Sequence, residues 1–244
     1  GTPVFGAERG DALESIALSH DADFLAVGSE NRNNDTGYVR VYHIMNGDWT
    51  QLGGELSGRA ERESFGSTVS LDGTGSVLVV GASPDNKLRL DGLVRVFELP
   101  SLQDVPDILG EEPGDRIGNH LYLALNGSRV CISTPHNTVN GEEAGVVRVF
   151  NVDDSDGSLT QVGQDLYGDE EDEAAGYLTR DGTRLAVAGR WNDGINGTQK
   201  DIGKVAVYQL SPNSDAENNG GNNWTWTPLG DPIYGENVKD RAGK

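Results

Sequence analysis

A single cysteine, few basic residues and no long apolar run set the first limits on this chain of 244 residues. With Cys131 alone, no disulfide can form within the chain, and the redox compartment stays undiagnosed. Cys131 sits in Arg129-Val130-Cys131-Ile132-Ser133, where sister segments place Leu25, Leu78 and Ala186, and it reads as a small buried hydrophobe rather than a nucleophile. No stretch of 18 apolar residues exists, so no segment is read as crossing a membrane. Only 19 Lys and Arg stand against 39 Asp and Glu, a net charge of −20. Phosphate binding needs a basic surface, so neither nucleic acid nor an anionic membrane is an expected partner. The acidity favours solubility and, where carboxylates cluster, cations or basic partners. Its plainer meaning is a solvated acidic face. Hydrophobic residues are scarce as well, at 35%, but they come in short β-branched clusters, and 34 glycines suit tight turns better than long helices.

What the chain does have is a segment written four times. Gly37-Tyr38-Val39-Arg40-Val41-Tyr42 returns as Gly92-Leu93-Val94-Arg95-Val96-Phe97, as Gly145-Val146-Val147-Arg148-Val149-Phe150 and as Gly203-Lys204-Val205-Ala206-Val207-Tyr208, with leading glycines 55, 53 and 58 residues apart. A period of this size suits a blade of four short strands. Each copy opens with a short strand and a turn marked by Asp72-Gly73, Asn126-Gly127 or Asp181-Gly182, dipeptides that tolerate positive φ; the first copy has the weaker Ser19-His20-Asp21-Ala22-Asp23. A continuous apolar strand follows, such as Val77-Leu78-Val79-Val80-Gly81, which requires cover on both faces and is expected to be the innermost strand. A polar loop then leads into the repeated segment. There Arg40, Arg95 and Arg148 share a face with an aromatic and are candidates for structural ion pairs, each with a carboxylate of its own or an adjacent blade. The last strand, Trp49-Thr50-Gln51-Leu52-Gly53 or Trp226-Thr227-Pro228-Leu229-Gly230, holds proline and must lie on an edge.

The reading is therefore an all-β protein, a β-propeller of four-stranded antiparallel blades with about four repeats present: 7–58, 59–110, 111–168 and 169–235. Residues 1–6 match the close of a repeat and 236–244 the opening of another, which suggests a segment of a larger propeller; a closed ring of four blades is the rival.

Written out in this way, the chain resembles the FG-GAP repeats that build the propeller of integrin α subunits. The name-giving dipeptide stands as Phe65-Gly66, against Ile117-Gly118 and Ala175-Gly176, and the Gly-Ala-Pro triplet as Gly81-Ala82-Ser83, Gly28-Ser29-Glu30, Thr134-Pro135 and Gly189-Arg190. The resemblance implies a non-enzymatic binding or scaffold protein, outside the cell or on its surface, working in adhesion or in an extracellular assembly through its loops. Partners would be proteins or further copies of the chain. The family's calcium loop is not intact: residues 31–37 alternate oxygen ligands with one carboxylate and residues 191–197 are poorer still, so no cofactor is expected and ordinary turn chemistry is favoured over calcium. The acidic run 169–173 is a weaker calcium candidate, because adjacent acids repel.

Other chemistry is sparse. His20, His43, His120 and His136 occupy unlike parts of the repeat and lack metal-ligand spacing, and no nucleophile elbow, phosphate loop or dinucleotide fingerprint occurs. Asn34, Asn126, Asn196 and Asn223 head Asn-x-Ser/Thr triplets that a secreted protein could glycosylate, although such turns need asparagine anyway. Trp224 and Trp226, beside the run 218–223, fall on one strand face and serve packing more readily than a sugar platform. The alternative function is accordingly carbohydrate binding or processing at the central channel, which would show aromatic and acidic groups converging at its mouth.

Overall fold

The computed structural model describes residues 3–6, 11–84, 92–104, 107–110, 114–153, 156–194, 197, 199–213 and 223–243. The loop 85–91, the candidate Asn196 and residues 218–222 lie outside them.

Alternating apolar residues and turn chemistry give four antiparallel sheets in chain order. Blade 1 holds β1 (Ser15–Leu18), β2 (Phe24–Ser29), β3 (Tyr38–Met45), β4 (Asp48–Gln51) and β5 (Leu56–Ser57). Blade 2 holds β6 (Phe65–Leu71), β7 (Val77–Ala82), β8 (Leu93–Glu98), β9 (Gln103–Asp104) and β10 (Ile108–Leu109). Blade 3 holds β11 (His120–Leu123), β12 (Arg129–Thr134), β13 (Val146–Val152), β14 (Leu159–Gln161) and β15 (Leu166–Tyr167). Blade 4 holds β16 (Ala175–Leu178), β17 (Arg184–Gly189), β18 (Lys204–Pro212), β19 (Trp224–Pro228) and β20 (Ile233–Tyr234). The one helical segment among the described residues, Arg32–Asp35, is a tight turn, with Asn33 and Asn34 in the left-handed region.

In every blade the first strand is an edge and touches the first strand of the next blade: β1 meets β6, β6 meets β11, and β11 meets β16. The first strands thus line the axis of a β-propeller, and the sequence expectation for the apolar second strand is corrected. β2, β7, β12 and β17 are central, each paired on both sides, and their apolar runs reflect cover by the two neighbouring blades rather than nearness to the axis.

The outer strand is broken in two in each blade, and both pieces pair with the third strand. In three blades the break is a bulge at a glycine. Gly53, Gly163 and Gly230 have φ of 62°, 77° and 81°. The amide just before each glycine donates to the third strand, Leu52 to Val41, Val162 to Val149 and Leu229 to Val207, at 2.7–2.8 Å. Only glycine takes such φ without cost.

Register settles two further points. Cys131 pairs with Tyr122 and Val149, so its counterparts are Ala26, Val79 and Ala186, not Leu25 and Leu78. A shift of one residue turns the side chain to the opposite face. In the first hairpins Gly127 and Gly182 take positive φ but Asn126 and Asp181 do not, while blade 2 uses Gly75 and blade 1 Ala22. Asp72 instead caps its turn, accepting from the Thr74 and Val77 amides at 3.2 and 2.8 Å.

Three apolar clusters hold the structure, and each is the junction of two consecutive blades. One packs Ala26, Val39 and Val41 of blade 1 on Leu71, Leu78, Val80 and Phe97 of blade 2. The second joins Val79, Val94 and Val96 to Leu123, Val130 and Ile132. The third joins Cys131, Val147 and Val149 to Leu178, Leu185 and Val187. Each blade therefore has one face for its predecessor and one for its successor.

Candidate functional site

The second-to-third-strand loops and the connections between blades emerge on the same rim, and a repeated backbone device binds them together. Gly58, Gly168 and Gly235 end the outer strand by donating to the carbonyls of Gly37, Gly145 and Gly203 at 3.0–3.2 Å. A Cβ at any of the three would lie 2.2 Å from a carbonyl oxygen, so no other residue fits. Three amides of the connection then donate to the preceding blade's loop. Arg62, Ser64 and Phe65 bond Asn34, Asp35 and Thr36; Glu171, Glu173 and Ala174 bond Glu142, Glu143 and Ala144; Lys239, Arg241 and Ala242 bond Lys200, Asp201 and Ile202. Arg62, Ser64, Glu171, Glu173, Lys239 and Arg241 take positive φ to do so. A carboxylate closes each connection: Glu63 accepts from the Arg59 and Ala60 amides, Asp172 from Asp169, and Asp240 from Glu236 and Asn237.

Between blades 3 and 4 this zipper walls a cleft of about 280 Å³ lined by Glu142, Glu143, Glu171, Glu173, Trp191 and Asp201. The guanidinium carbons of Arg190 and Arg241 lie 5.2 and 4.0 Å from the Trp191 ring centre, and Arg190 also pairs with Glu173. Such stacking places cations on the ring's negative face. Alongside, His136 Nδ1 is 2.9 Å from Glu143 Oε1, with Arg116 Nη1 3.4 Å from its other ring nitrogen. Burial, and then the charge of Arg190, hold His120 below its ordinary value. Burial raises Asp172, against hydrogen bonds from the Asp169 amide and Asn192. Across the rim Glu30 is raised, by burial and by the neighbouring Glu14. Among the described residues, no group of three or more His, Cys, Asp and Glu side chains is arranged to hold a metal ion. No helix among them is long and apolar enough to cross a membrane.

The sequence candidates lie apart from this cleft. Arg148 Nε and Nη2 donate to Asp165 at 3.0 and 2.9 Å. Arg40 Nε and Nη2 donate to Glu55 at 3.1 and 3.0 Å, and Arg32 shares that carboxylate. Arg95 Nε is 3.8 Å from Asp107, its Nη1 donates to the Ser57 carbonyl of blade 1 at 3.1 Å, and it stacks on Phe65 and Phe97. The carboxylates sit where the outer strand breaks, in the arginine's own blade. In blade 4 both partners are replaced, by Ala206 and Pro232.

Asn34, Asn126 and Asn223 are exposed at three separate places. Asn34 Nδ2 donates to Glu61, Asn126 Oδ1 accepts from Ser128, and the Asn223 carbonyl accepts from Asn213. Trp226 is 2% exposed and belongs to the blade 3–4 junction, whereas Trp224 on the same strand is partly open. Sequence reasoning missed the Arg190-Trp191-Arg241 stack. Its signal was the break in the Gly-Ala-Pro position, where Arg190 and Trp191 follow Gly189.

The architecture defines the class: an all-β propeller, with four blades among the described residues. No protein-family model matches the chain. No curated protein is similar to it in sequence. Solved structures show the same fold at low identity. A functionally unknown protein from Desulfotomaculum acetoxidans is 15% identical with a TM-score of 0.59, covering 96% of this chain and 62% of that one. The Dos1 propeller is 16% identical with a TM-score of 0.54, covering 84% and 46%. The propeller domain of the Trilobed protease from Pyrococcus furiosus is 11% identical with a TM-score of 0.50, covering 80% and 54%. The chain spans about two fifths to three fifths of the length of the structures it matches.

Proposed function

We propose that the chain is a non-enzymatic binding scaffold of the FG-GAP kind, working outside the cell or at its surface, and that its acidic rim receives a basic protein partner. The supporting observation is the cleft at the blade 3–4 junction, where backbone hydrogen bonds hold together the segments that carry five carboxylates around Trp191. Side chains held on a rigid rim lose little freedom on binding, which favours recognition. A chain with net charge −20 also draws cationic partners over a distance set by ionic strength.

The test is calorimetric titration with an oligolysine peptide at low ionic strength. Binding that weakens with salt and is lost in the Glu142→Gln/Glu171→Gln variant supports the reading; no heat of binding at any salt overturns it. The carbohydrate reading draws support from Trp191 standing beside carboxylates. It is disfavoured because guanidinium groups already stack on that ring. Oligosaccharide binding lost in Trp191→Ala, with no peptide binding, would put it first.

A further inference from the structure

We propose that a cavity at the foot of the blade 2–3 junction takes a guanidinium group from a ligand, in the way that Arg129 occupies the same position one junction further on. The cavity measures about 370 Å³ and is lined by Val77, Val96, Glu98 and Leu99 of blade 2 with Asp153 and Gly157 of blade 3. That size falls within the about 300–1,000 Å³ of small-ligand sites. Val77 begins β7, Glu98 ends β8, and Asp153 and Gly157 lie in the turn from β13 to β14. The cavity therefore opens on the rim opposite the acidic cleft and stands independently of the partner proposed there.

The sister junctions show what this position fits. Strand register aligns Val77 with Phe24 and Arg129, and Glu98 with His43 and Asn151. At the blade 1–2 junction the Phe24 ring stacks on His43, with centroids 4.6 Å apart, and covers Gly75 in the turn of blade 2, where a Cβ would meet the ring at 2.4 Å. At the blade 3–4 junction Arg129 Nε donates to Asn151 Oδ1 at 3.0 Å, and its Nη1 donates to the carbonyl of the turn glycine, Gly182, at 3.3 Å. Its stem lies 3.3 Å from where a Cβ on that glycine would stand. At the blade 2–3 junction the turn glycine is Gly127, and the three atoms nearest to a Cβ on it all belong to Asp72. Val77 is too short to do what Phe24 and Arg129 do, and the cavity lies beside it.

Glu98 decides between the two templates. A stacked ring needs no charge beside it, whereas an arginine donates to whatever faces it, and here the amide of Asn151 is replaced by a carboxylate. Asp153 brings a second carboxylate to the lining, while Val77, Val96 and Leu99 offer an apolar bed for a stem. A guanidinium matches a carboxylate with paired planar donors and is more weakly hydrated than an ammonium, so it enters a half-apolar site at lower cost. The ligand is thus an arginine side chain of a partner or a free guanidino compound, which present the same group.

The test is amide NMR of the 244-residue chain titrated with N-acetyl-arginine methylamide. Salt is held at about 0.15 M, where the screening length is about 8 Å and diffuse attraction to an acidic chain is weak. Shifts should concentrate at Ser76, Val77, Leu99 and Gly157, and the equally blocked lysine and neutral citrulline should bind at least about fivefold more weakly. Glu98→Gln keeps the shape and should weaken arginine binding about tenfold. Val77→Arg supplies the group from within, as Arg129 does, and should abolish binding while the protein stays folded by circular dichroism. A blocked Ala-Ala-Arg-Ala-Ala peptide separates the sources, and the site stands on either result: binding tighter than the single residue marks a protein partner, and equal or weaker binding a free guanidino compound. Absence of shifts at these residues overturns the proposal, as does lysine or citrulline binding as tightly as arginine. Undiminished binding in Val77→Arg also overturns it; should that variant unfold, undiminished binding in Glu98→Gln does so alone.

Discussion

A double-mutant cycle on Arg148 and Asp165 tests whether the arginine of the repeat is structural. Two charge-assisted hydrogen bonds of 3.0 and 2.9 Å join them, at side chains 13% and 22% exposed. An exposed ion pair is worth about 0–1 kcal/mol, and breaking a fully buried one costs about 3–5. This pair lies between, so Arg148→Met or Asp165→Ala alone should cost about 2 kcal/mol. Methionine keeps much of the apolar stem. Each single change strands the other charge, so the double variant should lose little more than either, with a coupling of about 1–2 kcal/mol. Blade 4 carries Ala206 and Pro232 at these positions and still forms its sheet. The assay is urea unfolding followed by tryptophan fluorescence, with the slope compared across variants. Repeat proteins can unfold in steps, and a changed slope would expose that. Acidity provides a second readout. Burial raises the Asp165 carboxyl, but hydrogen bonds from Arg148 and Gln161, with the arginine's charge, hold it below the ordinary 3.8. A folded-state value below the unfolded one gives stability that is full above 3.8 and is lost as pH falls through the lower folded value. The gap between wild type and double variant should therefore close in that acid range. Additive losses, with coupling below about 0.5 kcal/mol, would refute the structural role.

Two other expectations are simpler. Trp226→Ala should destabilise by about 3–5 kcal/mol in the same assay, since it empties a buried indole site, and Trp226→Phe by about 1–2 through the lost bond to Val162; a loss under 1 kcal/mol for alanine would show that the junction does not depend on it. Cys131 is fully buried and its thiol is pushed up to about 12 by burial. It should be inert to a thiol reagent at pH 8 in the folded protein and react at once in urea; rapid labelling without denaturant would contradict the packing.

What could be read from the sequence was whatever repeats. Spacing of the Gly-x-Val-Arg-Val segment marked the blades, and strand patterning marked which residues face inward, because both signals recur at fixed offsets. Position within the sheet was not legible. An apolar run such as residues 77–81 states that both faces are covered, and central and axial placement satisfy that equally. The Asp72-Gly73 dipeptide looked like the turn, but Gly75 takes the positive φ, and a short stretch of Gly and Asp allows either choice. The rim cleft was hidden for a different reason. Trp191, Glu142 and Arg241 come from segments about 50 residues apart, and they meet where the repeat pattern lapses.

At two junctions a side chain of one blade reaches back to the outer strand of the blade before it. In blade 2, Arg95 reaches back to the Ser57 carbonyl at the outer strand of blade 1. At the blade 3–4 junction that arginine is gone, and Trp226 reaches back to the Val162 carbonyl at the outer strand of blade 3. Either side chain brings a long flat apolar surface with a donor at its end, and each donates to an outer-strand carbonyl of the blade before it. Trp226 also fills the space above Gly163, where a Cβ would meet the ring at 2.4 Å. Leu102 sits over Gly53 in the same way at the blade 1–2 junction. The bulge glycine and the side chain of the next blade are therefore one unit. Gly163→Ala should weaken the blade 3–4 junction with Trp226 in place, and less in a Trp226→Ala background, where the added methyl has room and only the positive φ of 77° still costs.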